Sequence, residues 1–390
     1  MSRTYDVIVV GAGIFGASAA YHLKKAGAAR VLLVERGAGP AAGTTRASAA
    51  IVRQHYSNRV LCELTGESIA ILTDLGRRRA RGGLFTQAGW YFLVPEPLLA
   101  GARENIAMQR DAGVVTSLLD IKQASRELAW LNPDGIAAVA FEPGSGYADP
   151  VRCVEALVEE FVRLGGEVLF KKKCHGLIRS GNRIEGVVIE HESLLAGCTV
   201  NACGPWSKAL ASSANIDLQM VAYREQETIW DCNRAAEMPP SSISDAADAI
   251  YVRPMGGGRY TVGRGYPKPY TEVDPGAYEE TVDDDFVNDV LQRLQLRFIP
   301  FSNAKYLDGF ASLYDVTPDW YPFVGLRSDI RGYADASGGS GHGFKLAPAL
   351  GAHLSQWVLN GSVKPGVREL SYDRVSAGRM FVQKYGGNRG

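Results

Sequence analysis

A glycine pattern directly after a short apolar run near the start of the chain constrains the fold most. Residues 7–10 are Val-Ile-Val-Val, and Gly11, Gly13 and Gly16 follow in GxGxxG spacing. In a strand–turn–helix unit the first glycine allows the tight turn. The second lets the backbone approach a pyrophosphate, and the third permits close packing of helix on strand. A second apolar run ends at Glu35, so the pattern predicts a βαβ unit that binds a dinucleotide through its ribose hydroxyls.

The helix of this unit is predicted to begin at Ile14 and to end near Ala26. Its free N–H groups and the positive end of its dipole would face the phosphates. An acid at Glu35 disfavours a ribose 2′-phosphate, because the two negative charges repel. The glycine motif alone would permit an NAD-linked dehydrogenase.

The composition argues against several classes of protein. The 42 basic and 42 acidic side chains cancel to a net charge of 0, which gives no electrostatic reason for a nucleic-acid partner. The apolar stretch after residue 6 is too short for a membrane span, and residues 1–6 are too few for a signal peptide. The six cysteines contain no Cys-x-x-Cys, and we expect buried, reduced thiols. These features predict a cytoplasmic protein without a metal site.

Strand and helix patterns alternate at both ends of the chain and enclose a strand-rich middle. Residues 176–190 are typical of a hairpin with its turn at 180–182, and residues 99–140 of a mostly helical segment. A chain of 390 residues with 46% hydrophobic content is long enough for two lobes. We predict an α/β (α+β) two-domain fold, in which a mainly antiparallel sheet domain is inserted into a discontinuous, Rossmann-like nucleotide domain. The nucleotide domain is predicted over residues 1–85, 145–215 and 306–390, and the inserted domain over 86–144 and 216–305.

A second glycine-rich segment lies near the other end of the chain. Residues 337–345 read Ser-Gly-Gly-Ser-Gly-His-Gly-Phe-Lys and precede a helix predicted to start near Leu346. Glycines at a helix N-terminus let backbone N–H groups approach a ligand, and the positive end of the helix favours developing negative charge. A reduced flavin carries such charge at its N1–C2=O edge. The segment therefore favours a flavin over a nicotinamide.

Six short motifs occur along the chain in a fixed order. They are the GxGxxG with Glu35; Gly43-Thr44-Thr45 followed by Ile51-Val52-Arg53; Asn201-Ala202-Cys203-Gly204-Pro205-Trp206; Tyr251-Val252-Arg253-Pro254; Thr317-Pro318-Asp319; and Ser340-Gly341-His342-Gly343-Phe344-Lys345. In these motifs the chain resembles the D-amino-acid oxidase superfamily of FAD enzymes, within its sarcosine oxidase and dimethylglycine dehydrogenase branch. The motifs span nearly the whole chain.

The resemblance implies that FAD lies extended between the two domains. It also implies oxidation of a carbon next to an amine nitrogen by hydride transfer to flavin N5. The cofactor-binding residues that it implies are Gly11, Gly13, Ile14, Phe15, Gly16, Glu35, Arg36, Thr44, Thr45, Arg46, Ser48, Ala49, Cys174, Ala202, Gly204, Trp206, Gly339, Ser340, Gly341, His342, Gly343, Phe344 and Lys345.

Two cations match positions that bind the substrate carboxylate in amino-acid-oxidising relatives. They are Arg53 and Lys345. An arginine can hold a carboxylate through two parallel hydrogen bonds, and a lysine adds a point charge. In the alternative reading, Arg53 pairs with a local acid such as Glu63, and Lys345 lies against the flavin carbonyl.

Further residues are candidates for the catalytic site. The resemblance implies that His342 contacts the flavin edge or relays a proton, although it could equally be a loop histidine without a role. Tyr314 and Tyr251 would pack over the substrate, or else belong to the core. Side chains of the inserted domain around Trp230, Tyr251 and Tyr260 would shape the pocket.

The chain departs from the family at the residues that bond covalently to flavin. The cysteine of monomeric sarcosine oxidases is replaced by Ser312, and the segment that carries the histidine of dimethylglycine dehydrogenases has Ala47. FAD is therefore predicted to be bound without a covalent link. The lysine that speeds the reaction with O2 in sarcosine oxidases falls on Thr261, and Arg259 or Arg264 would be the alternative source of positive charge.

We expect an FAD-dependent oxidoreductase that oxidises the C–N bond of a secondary amine or amino acid. An N-alkyl amino acid is the favoured substrate, and O2 or another acceptor takes the electrons. The alternatives are a flavin-binding subunit of a multi-chain amine dehydrogenase with a partner subunit, and a D-amino-acid dehydrogenase.

Overall fold

The computed structural model describes residues 4–78 and 83–382. Within them the chain forms three β-sheets and ten α-helices. The helices are α1 (Ile14–Lys25), α2 (Arg59–Arg77), α3 (Leu99–Asp111), α4 (Ile121–Glu127), α5 (Pro150–Arg163), α6 (Ser207–Ser212), α7 (Asp284–Arg297), α8 (Gly343–Asn360), α9 (Pro365–Arg368) and α10 (Asp373–Ser376). The strands are β1 (Thr4–Val10), β2 (Val31–Val34), β3 (Ile51–Val52), β4 (Phe85–Gln87), β5 (Trp90–Val94), β6 (Ser117–Asp120), β7 (Ala138–Glu142), β8 (Gly146–Ala148), β9 (Glu167–Leu169), β10 (Cys174–Ser180), β11 (Arg183–Ile189), β12 (Glu192–Asn201), β13 (Val221–Asp231), β14 (Ser242–Asp245), β15 (Ile250–Gly256), β16 (Arg259–Arg264), β17 (Thr271–Glu272), β18 (Lys305–Val316), β19 (Phe323–Leu326) and β20 (Tyr333–Ser337).

The first sheet has eight strands and a parallel centre. β1 pairs in parallel with β12 on one side and with β2 on the other, β2 pairs with β9, and β12 also pairs with β20. Strands β10, β11 and β12 form an antiparallel meander. Val7 and Val9 belong to one buried core, and Ile8 and Val10 to the core on the other face. Because both faces of β1 are covered, its residues 7–10 form a continuous apolar run without alternation.

The second sheet has nine strands and is mainly antiparallel. Its order is β17-β13-β16-β15-β14-β5-β7-β6, with β18 added beside β13. Strands β14 and β5 are its parallel pair among the described residues. Its core includes Trp230 and Val252 of the sheet together with Leu294 of α7. This architecture confirms the predicted fold class.

Two of the four boundaries between the predicted domains fall inside strands. β18 pairs with β13 along its whole length, so the segment from residue 306 begins in the second sheet rather than in the nucleotide-binding sheet. Residue 86 lies in β4, which joins β3 and β8 in a three-stranded sheet. The predicted ranges also include residues 1–3, 79–82 and 383–390, which lie outside the described residues. The division into domains therefore stays a prediction.

Candidate active site

The three glycines after β1 differ in their surroundings. A Cβ at Gly11 would clash with the carbonyl oxygen of Ala202, and a Cβ at Gly16 would clash with the carbonyl oxygen of Gly11. Gly11 also has φ +103°, which disfavours other residues. A Cβ at Gly13 would meet only Thr45 Oγ1, at 3.1 Å. The fold therefore requires glycine at positions 11 and 16, whereas Gly13 leaves open space beside the start of α1.

Glu35 is fixed by two backbone N–H groups at the end of β2. Ala12 donates to its Oε2 at 2.8 Å, and Gly37 donates to its Oε1 at 2.7 Å. Each carboxylate oxygen can accept a further hydrogen bond, so Glu35 keeps capacity for hydroxyl donors. Thr45 Oγ1 accepts from the N–H of Ile14 at 3.2 Å, which places a polar side chain at the N-terminus of α1.

A cavity of about 690 Å³ connects this turn with the second glycine-rich segment. Its volume lies within the range of roughly 300–1,000 Å³ that is typical of cofactor sites. At one end the guanidinium of Arg36 lies 3.7 Å above the ring of Trp206. The predicted residues that line the cavity are Gly11, Gly13, Ile14, Phe15, Glu35, Arg36, Thr44, Thr45, Ser48, Ala49, Arg53, Cys174, Ala202, Gly204, Trp206, Tyr251, Tyr314, Gly339, Gly341, His342, Gly343, Phe344 and Lys345.

Three predicted cofactor residues are not part of the cavity wall. Gly16 lies beneath the turn, against Gly11. Arg46 is exposed, on a short 3₁₀ helix. Ser340 is fully buried, and its hydroxyl oxygen accepts from the N–H of Thr317 at 3.2 Å. The structure gives Gly16 and Ser340 a role in shaping the two glycine segments.

Asp315, near the end of β18, fixes the second glycine-rich segment through two hydrogen bonds. The carboxylate of Asp315 accepts from the N–H of Gly338 at 2.7 Å, and its carbonyl oxygen accepts from the N–H of Ser340 at 2.9 Å. Burial raises the pKa of Asp315 to about 6. Helix α8 begins at Gly343, three residues before Leu346, near which it was predicted to start. Lys345 therefore lies in the first turn of the helix.

Two buried cations line the cavity next to this loop. Lys345 is 7% exposed, and its ammonium has no hydrogen-bonding or ionic partner within residues 4–78 and 83–382. Burial and then the charge of Arg53 hold the pKa of Lys345 well below its usual value. Arg53 donates to the carbonyl oxygen of His55 and lies 4.9 Å from the ring centroid of Tyr56. The two cations thus lie close enough for the charge of Arg53 to act on Lys345.

Glu63, the alternative partner of Arg53, forms its ion pair with Arg59 at 2.9 Å. Both residues of this pair are well exposed on α2. The structure therefore does not support the reading in which Glu63 neutralises Arg53.

His342 is engaged at both ring nitrogens. Nε2 lies 2.7 Å from the carbonyl oxygen of Trp320, and Nδ1 lies 3.3 Å from the hydroxyl of Tyr56. Because a carbonyl can only accept, Nε2 carries the proton and Nδ1 accepts from Tyr56. Burial, followed by the charge of Lys345, lowers the pKa of His342 to about 3. This geometry suits contact with a cofactor edge and does not suit proton relay.

The opposite wall of the cavity carries two carboxylates that the sequence analysis missed. Glu225 and Glu227 are alternate residues of β13 and line the cavity. Glu227 is 5% exposed, and its two oxygens accept from Tyr251 Oη and Thr261 Oγ1, both at 2.6 Å. Glu225 forms an ion pair with Lys268. Two charged residues in i, i+2 spacing on a strand could have indicated a polar face.

Trp230 and Tyr260 lie in the core of the second sheet, not in the pocket that we expected them to shape. They pair with each other across β13 and β16. Successive side chains of a strand point to opposite faces. Trp230 is separated from Glu225 and Glu227 by an odd number of residues, so its side chain lies on the other face of β13.

The candidate sources of positive charge on β16 do not reach the cavity. Arg259 is exposed, and Arg264 forms an ion pair with Asp289. Neither residue lines the cavity. Thr261 donates to Glu227, so β16 contributes a hydroxyl next to a carboxylate at the position where sarcosine oxidases have a lysine.

The residues present fit a long, flavin-containing dinucleotide. The open space at Gly13 and the N-terminus of α1 suit a pyrophosphate, and Glu35 keeps free acceptor capacity for a ribose. The buried ammonium of Lys345, at the start of α8, suits the electron-rich edge of a flavin or a carboxylate. Fold and site together define a dinucleotide-binding oxidoreductase of the flavin class.

The comparisons with known proteins agree with this class. The family model for FAD dependent oxidoreductases (DAO) matches residues 6–357. The chain therefore belongs to this family, is an FAD-dependent oxidoreductase and uses FAD. The resemblance stated from the motifs is confirmed.

Individual relatives are similar over most of their length. The FAD-dependent oxidoreductase domain-containing protein 1 of Bos taurus is 29% identical, with 91% of this chain and 81% of the relative covered. The monomeric sarcosine oxidase of Bacillus sp. (strain NS-129) is 26% identical, with 98% of this chain and 100% of the relative covered. The solved L-proline dehydrogenase of P. horikoshii shares the fold, with a TM-score of 0.88, 24% identity and coverage of 98% and 100%.

Neither a metal-binding cluster nor a membrane-spanning helix is found among the described residues. Over the described ranges, no group of three or more His, Cys, Asp or Glu side chains is placed to hold a metal ion. No helix in the same ranges has the length and apolar character needed to cross a bilayer.

Proposed function

We propose that the enzyme oxidises the C–N bond of a carboxylate-bearing amine, with an N-alkyl amino acid as the favoured substrate. The observation that carries this proposal is the buried ammonium of Lys345, which lies beside Arg53 without a protein counterion among the described residues. A buried cation is costly unless it is paired. A substrate carboxylate would supply the missing negative charge.

The names of several relatives support this substrate class. Two relatives of about this length are monomeric sarcosine oxidases, from two Bacillus strains. A third, of which 46% is covered, is a 4-methylaminobutanoate oxidase of Paenarthrobacter nicotinovorans. Sarcosine and 4-methylaminobutanoate are both N-methylated amino acids, which favours a secondary amine that carries a carboxylate.

In this proposal Arg53 and Lys345 position the substrate and do not react with it. FAD, when bound, accepts a hydride from the carbon next to the nitrogen. Arg53 and Lys345 hold the carboxylate, and Tyr251 and Tyr314 line the cavity around the amine. Holding the reacting carbon in one orientation lowers the free-energy barrier to hydride transfer, because the substrate has already lost its translational and rotational freedom on binding.

We further propose that the electrons leave to an acceptor other than O2. The reduction of O2 builds up negative charge, which a nearby cation would stabilise. At the corresponding place this chain has Thr261, hydrogen-bonded to the carboxylate of Glu227. Comparing flavin reoxidation by O2 with reoxidation by an artificial acceptor such as a quinone tests this point. Reoxidation by O2 that is as fast as substrate turnover would contradict it.

The substrate class is tested by anaerobic flavin bleaching. Purified enzyme is mixed with sarcosine, 4-methylaminobutanoate, L-proline, glycine and D-amino acids, and the rate of flavin reduction is measured for each. We expect the secondary amines with a carboxylate to reduce the flavin fastest. Reduction by primary D-amino acids alone would support the D-amino-acid dehydrogenase alternative. A chain that is reduced by amines only beside a second subunit would support the multi-chain complex.

The carboxylate clamp is tested with Lys345→Met and Arg53→Lys. Charge-assisted hydrogen bonds contribute about 1.5–3 kcal/mol, so each variant should lose on the order of ten- to hundredfold in kcat/KM for the acid. Its loss for the neutral amide of the same amine should be small. Lys208→Met, at an exposed lysine of α6, is the matched control. Equal losses on acid and amide would overturn the clamp.

A further inference from the structure

A substrate amine must lose a proton before it can expel a hydride. This inference rests on the proposed function, because an amino acid or a secondary amine is an ammonium ion at neutral pH. His342 cannot accept the proton easily, since both of its ring nitrogens are engaged and burial lowers its pKa to about 3. Lys345 is assigned to the carboxylate. The proton therefore needs another acceptor within reach of the cavity.

We propose that Glu227 receives the proton of the substrate ammonium through the hydroxyl of Tyr251. Tyr251 lines the cavity, and its Oη donates to Glu227 Oε2 at 2.6 Å. Thr261 Oγ1 donates to Glu227 Oε1 at 2.6 Å. Tyr314 lines the same cavity. The hydroxyl of Tyr251 thus connects the cavity with one buried carboxylate.

The transfer involves two protons and no electrons. One N–H bond of the ammonium breaks as its proton passes to Tyr251 Oη, while the proton of Tyr251 passes to Glu227 Oε2. The products are a neutral amine, an unchanged tyrosine and a carboxylic acid. Glu227 returns the proton to solvent after the oxidised product leaves. Tyr251 acts as a conduit because burial raises its pKa well above the usual value, so it does not persist as an anion.

Burial favours this transfer. A low dielectric disfavours the charged form of each group, so it lowers the pKa of an ammonium and raises that of a carboxyl by as much as about 3–5 pH units. The transfer converts an ion pair into a neutral pair. In Glu227, burial raises the pKa above its usual value, although its hydrogen bonds from Thr261 and Tyr251 act in the opposite direction.

The charged and titratable groups that face Glu227 come from several elements. Arg253 of β15 and Lys268, which follows β16, both favour the carboxylate form of Glu227. Glu225 of β13 faces the same wall, but its ion pair with Lys268 offsets its charge. Tyr314 of β18 is kept protonated by burial, which raises its pKa well above the usual value. The net effect on Glu227 is still an elevated pKa, because burial is the largest contribution.

The kinetic test compares Glu227→Gln and Tyr251→Phe with the control Glu272→Gln. Glu272 is an exposed glutamate of β17, the strand that pairs with β13, and it does not line the cavity. The rate of anaerobic flavin reduction by sarcosine and by L-proline is measured from pH 6 to pH 10. Without the acceptor only amine that is already neutral reacts. Glu227→Gln and Tyr251→Phe should therefore lose roughly 10²-fold at pH 7, recover at high pH and show a higher apparent pKa.

A second readout does not depend on turnover. The probe is 2-aminoisobutyrate, which has no hydrogen on the carbon attached to nitrogen. Its binding to the wild-type holoenzyme should produce the infrared C=O band of a protonated carboxyl, sensitive to exchange into D2O. The band should be present in Glu272→Gln and absent in Glu227→Gln. If Glu227→Gln does not fold, the pH profile of Tyr251→Phe decides.

The outcomes separate a failure of the role of Glu227 from a failure of the proposed function. Wild-type pH profiles in Glu227→Gln and Tyr251→Phe, or the carboxyl band in Glu227→Gln, would overturn the role of Glu227 while the proposed function stands. If no amine reduces the wild-type flavin, the proposed function fails and this inference fails with it.

Discussion

Among single residues, the three glycines of the first turn have separable roles. A side chain at Gly11 or Gly16 would clash with backbone, whereas at Gly13 it would meet only the hydroxyl of Thr45. The sequence motif treats the three positions alike. The structure indicates that substitution at Gly13 tests cofactor binding without breaking the turn.

Gly13→Val should abolish FAD loading while the protein stays folded, because its side chain fills the space that the pyrophosphate must approach. The measurements are flavin absorbance of the purified protein and its far-ultraviolet circular dichroism. Gly11→Val is the comparison, and we expect it to fold poorly. Full flavin content in Gly13→Val would show that this glycine serves the turn alone.

Residues that line the cavity could be predicted from the sequence where one short motif carries them. Gly11, Gly13, Glu35, Arg53 and Lys345 belong to local motifs, and the structure brings them to one cavity. Glu227 was missed because its partners, Tyr251 and Thr261, come from two other strands. Their meeting depends on strand register, which a single sequence does not reveal.

At the level of elements, a buried ion pair ties the last helices to the site. Arg374 of α10 donates to both carboxylate oxygens of Asp319, at 2.8 and 2.9 Å. Asp319 precedes Trp320, whose carbonyl oxygen bonds His342. Burial is the largest single influence and acts to raise the pKa of Asp319. The hydrogen bonds and charge of Arg374, with the backbone N–H groups of Phe381 and Tyr321, together outweigh it, so the pKa lies below its usual value.

Arg374→Met should lower the free energy of unfolding by roughly 3–5 kcal/mol at pH 7, because it leaves a buried carboxylate unpaired. A depressed folded-state pKa contributes stability above the unfolded value of about 3.9, and this contribution is lost as the pH falls further. The deficit of the variant should therefore shrink below about pH 4. Urea unfolding of the holoenzyme at pH 7 and pH 3 measures both effects.

The control for this prediction is Arg368→Met, at an exposed arginine of α9 that lies 5.3 Å from the ring of Trp357. Its loss should not exceed about 1 kcal/mol. A deficit of Arg374→Met that is no larger than that of the control would count against the ion pair as a stabilising contact.

Elements with a strong local pattern matched the structure, and those defined by distant pairing did not. The hairpin around residues 180–182 is present as β10 and β11, and its partner strand β12 follows directly. Residues 99–140, expected to be mostly helical, also contain β6 and the start of β7. Both strands are short. β6 pairs with β7, and β7 pairs in turn with β5, which lies outside this segment.

For the whole molecule, the cavity wall bears on how FAD is attached. Ser312 and Ala47, which replace the two attachment residues of relatives, both line the cavity. Cys174 and Cys203 also line it, and burial raises the pKa of both thiols, that of Cys174 to about 11. Protonated thiols are poor nucleophiles. These side chains favour a flavin held without a covalent bond.

Acid precipitation should leave the yellow colour in the supernatant, and the pellet should show no fluorescent band after denaturing electrophoresis. Adding FAD back to the apoprotein should raise its midpoint of thermal unfolding, since a ligand at 100 times its Kd stabilises the native state by about 2.7 kcal/mol. Flavin that remains with the pellet would contradict non-covalent binding.

Because of the contacts of Asp315, mutations can change substrate specificity more easily in some parts of the cavity wall than in others. It follows Tyr314 on β18 and anchors Gly338 and Ser340 of the second glycine-rich segment. A mutation that repacks Tyr314 for a new substrate would therefore also disturb the loop on which flavin affinity depends. Substitutions on β13 or β5 do not alter these hydrogen bonds between Asp315 and the loop. In directed evolution, specificity should accordingly change more readily by substitution of residues such as Glu225 and Phe92 than by substitution on β18. A β18 variant must gain selectivity and keep its affinity for the flavin at the same time.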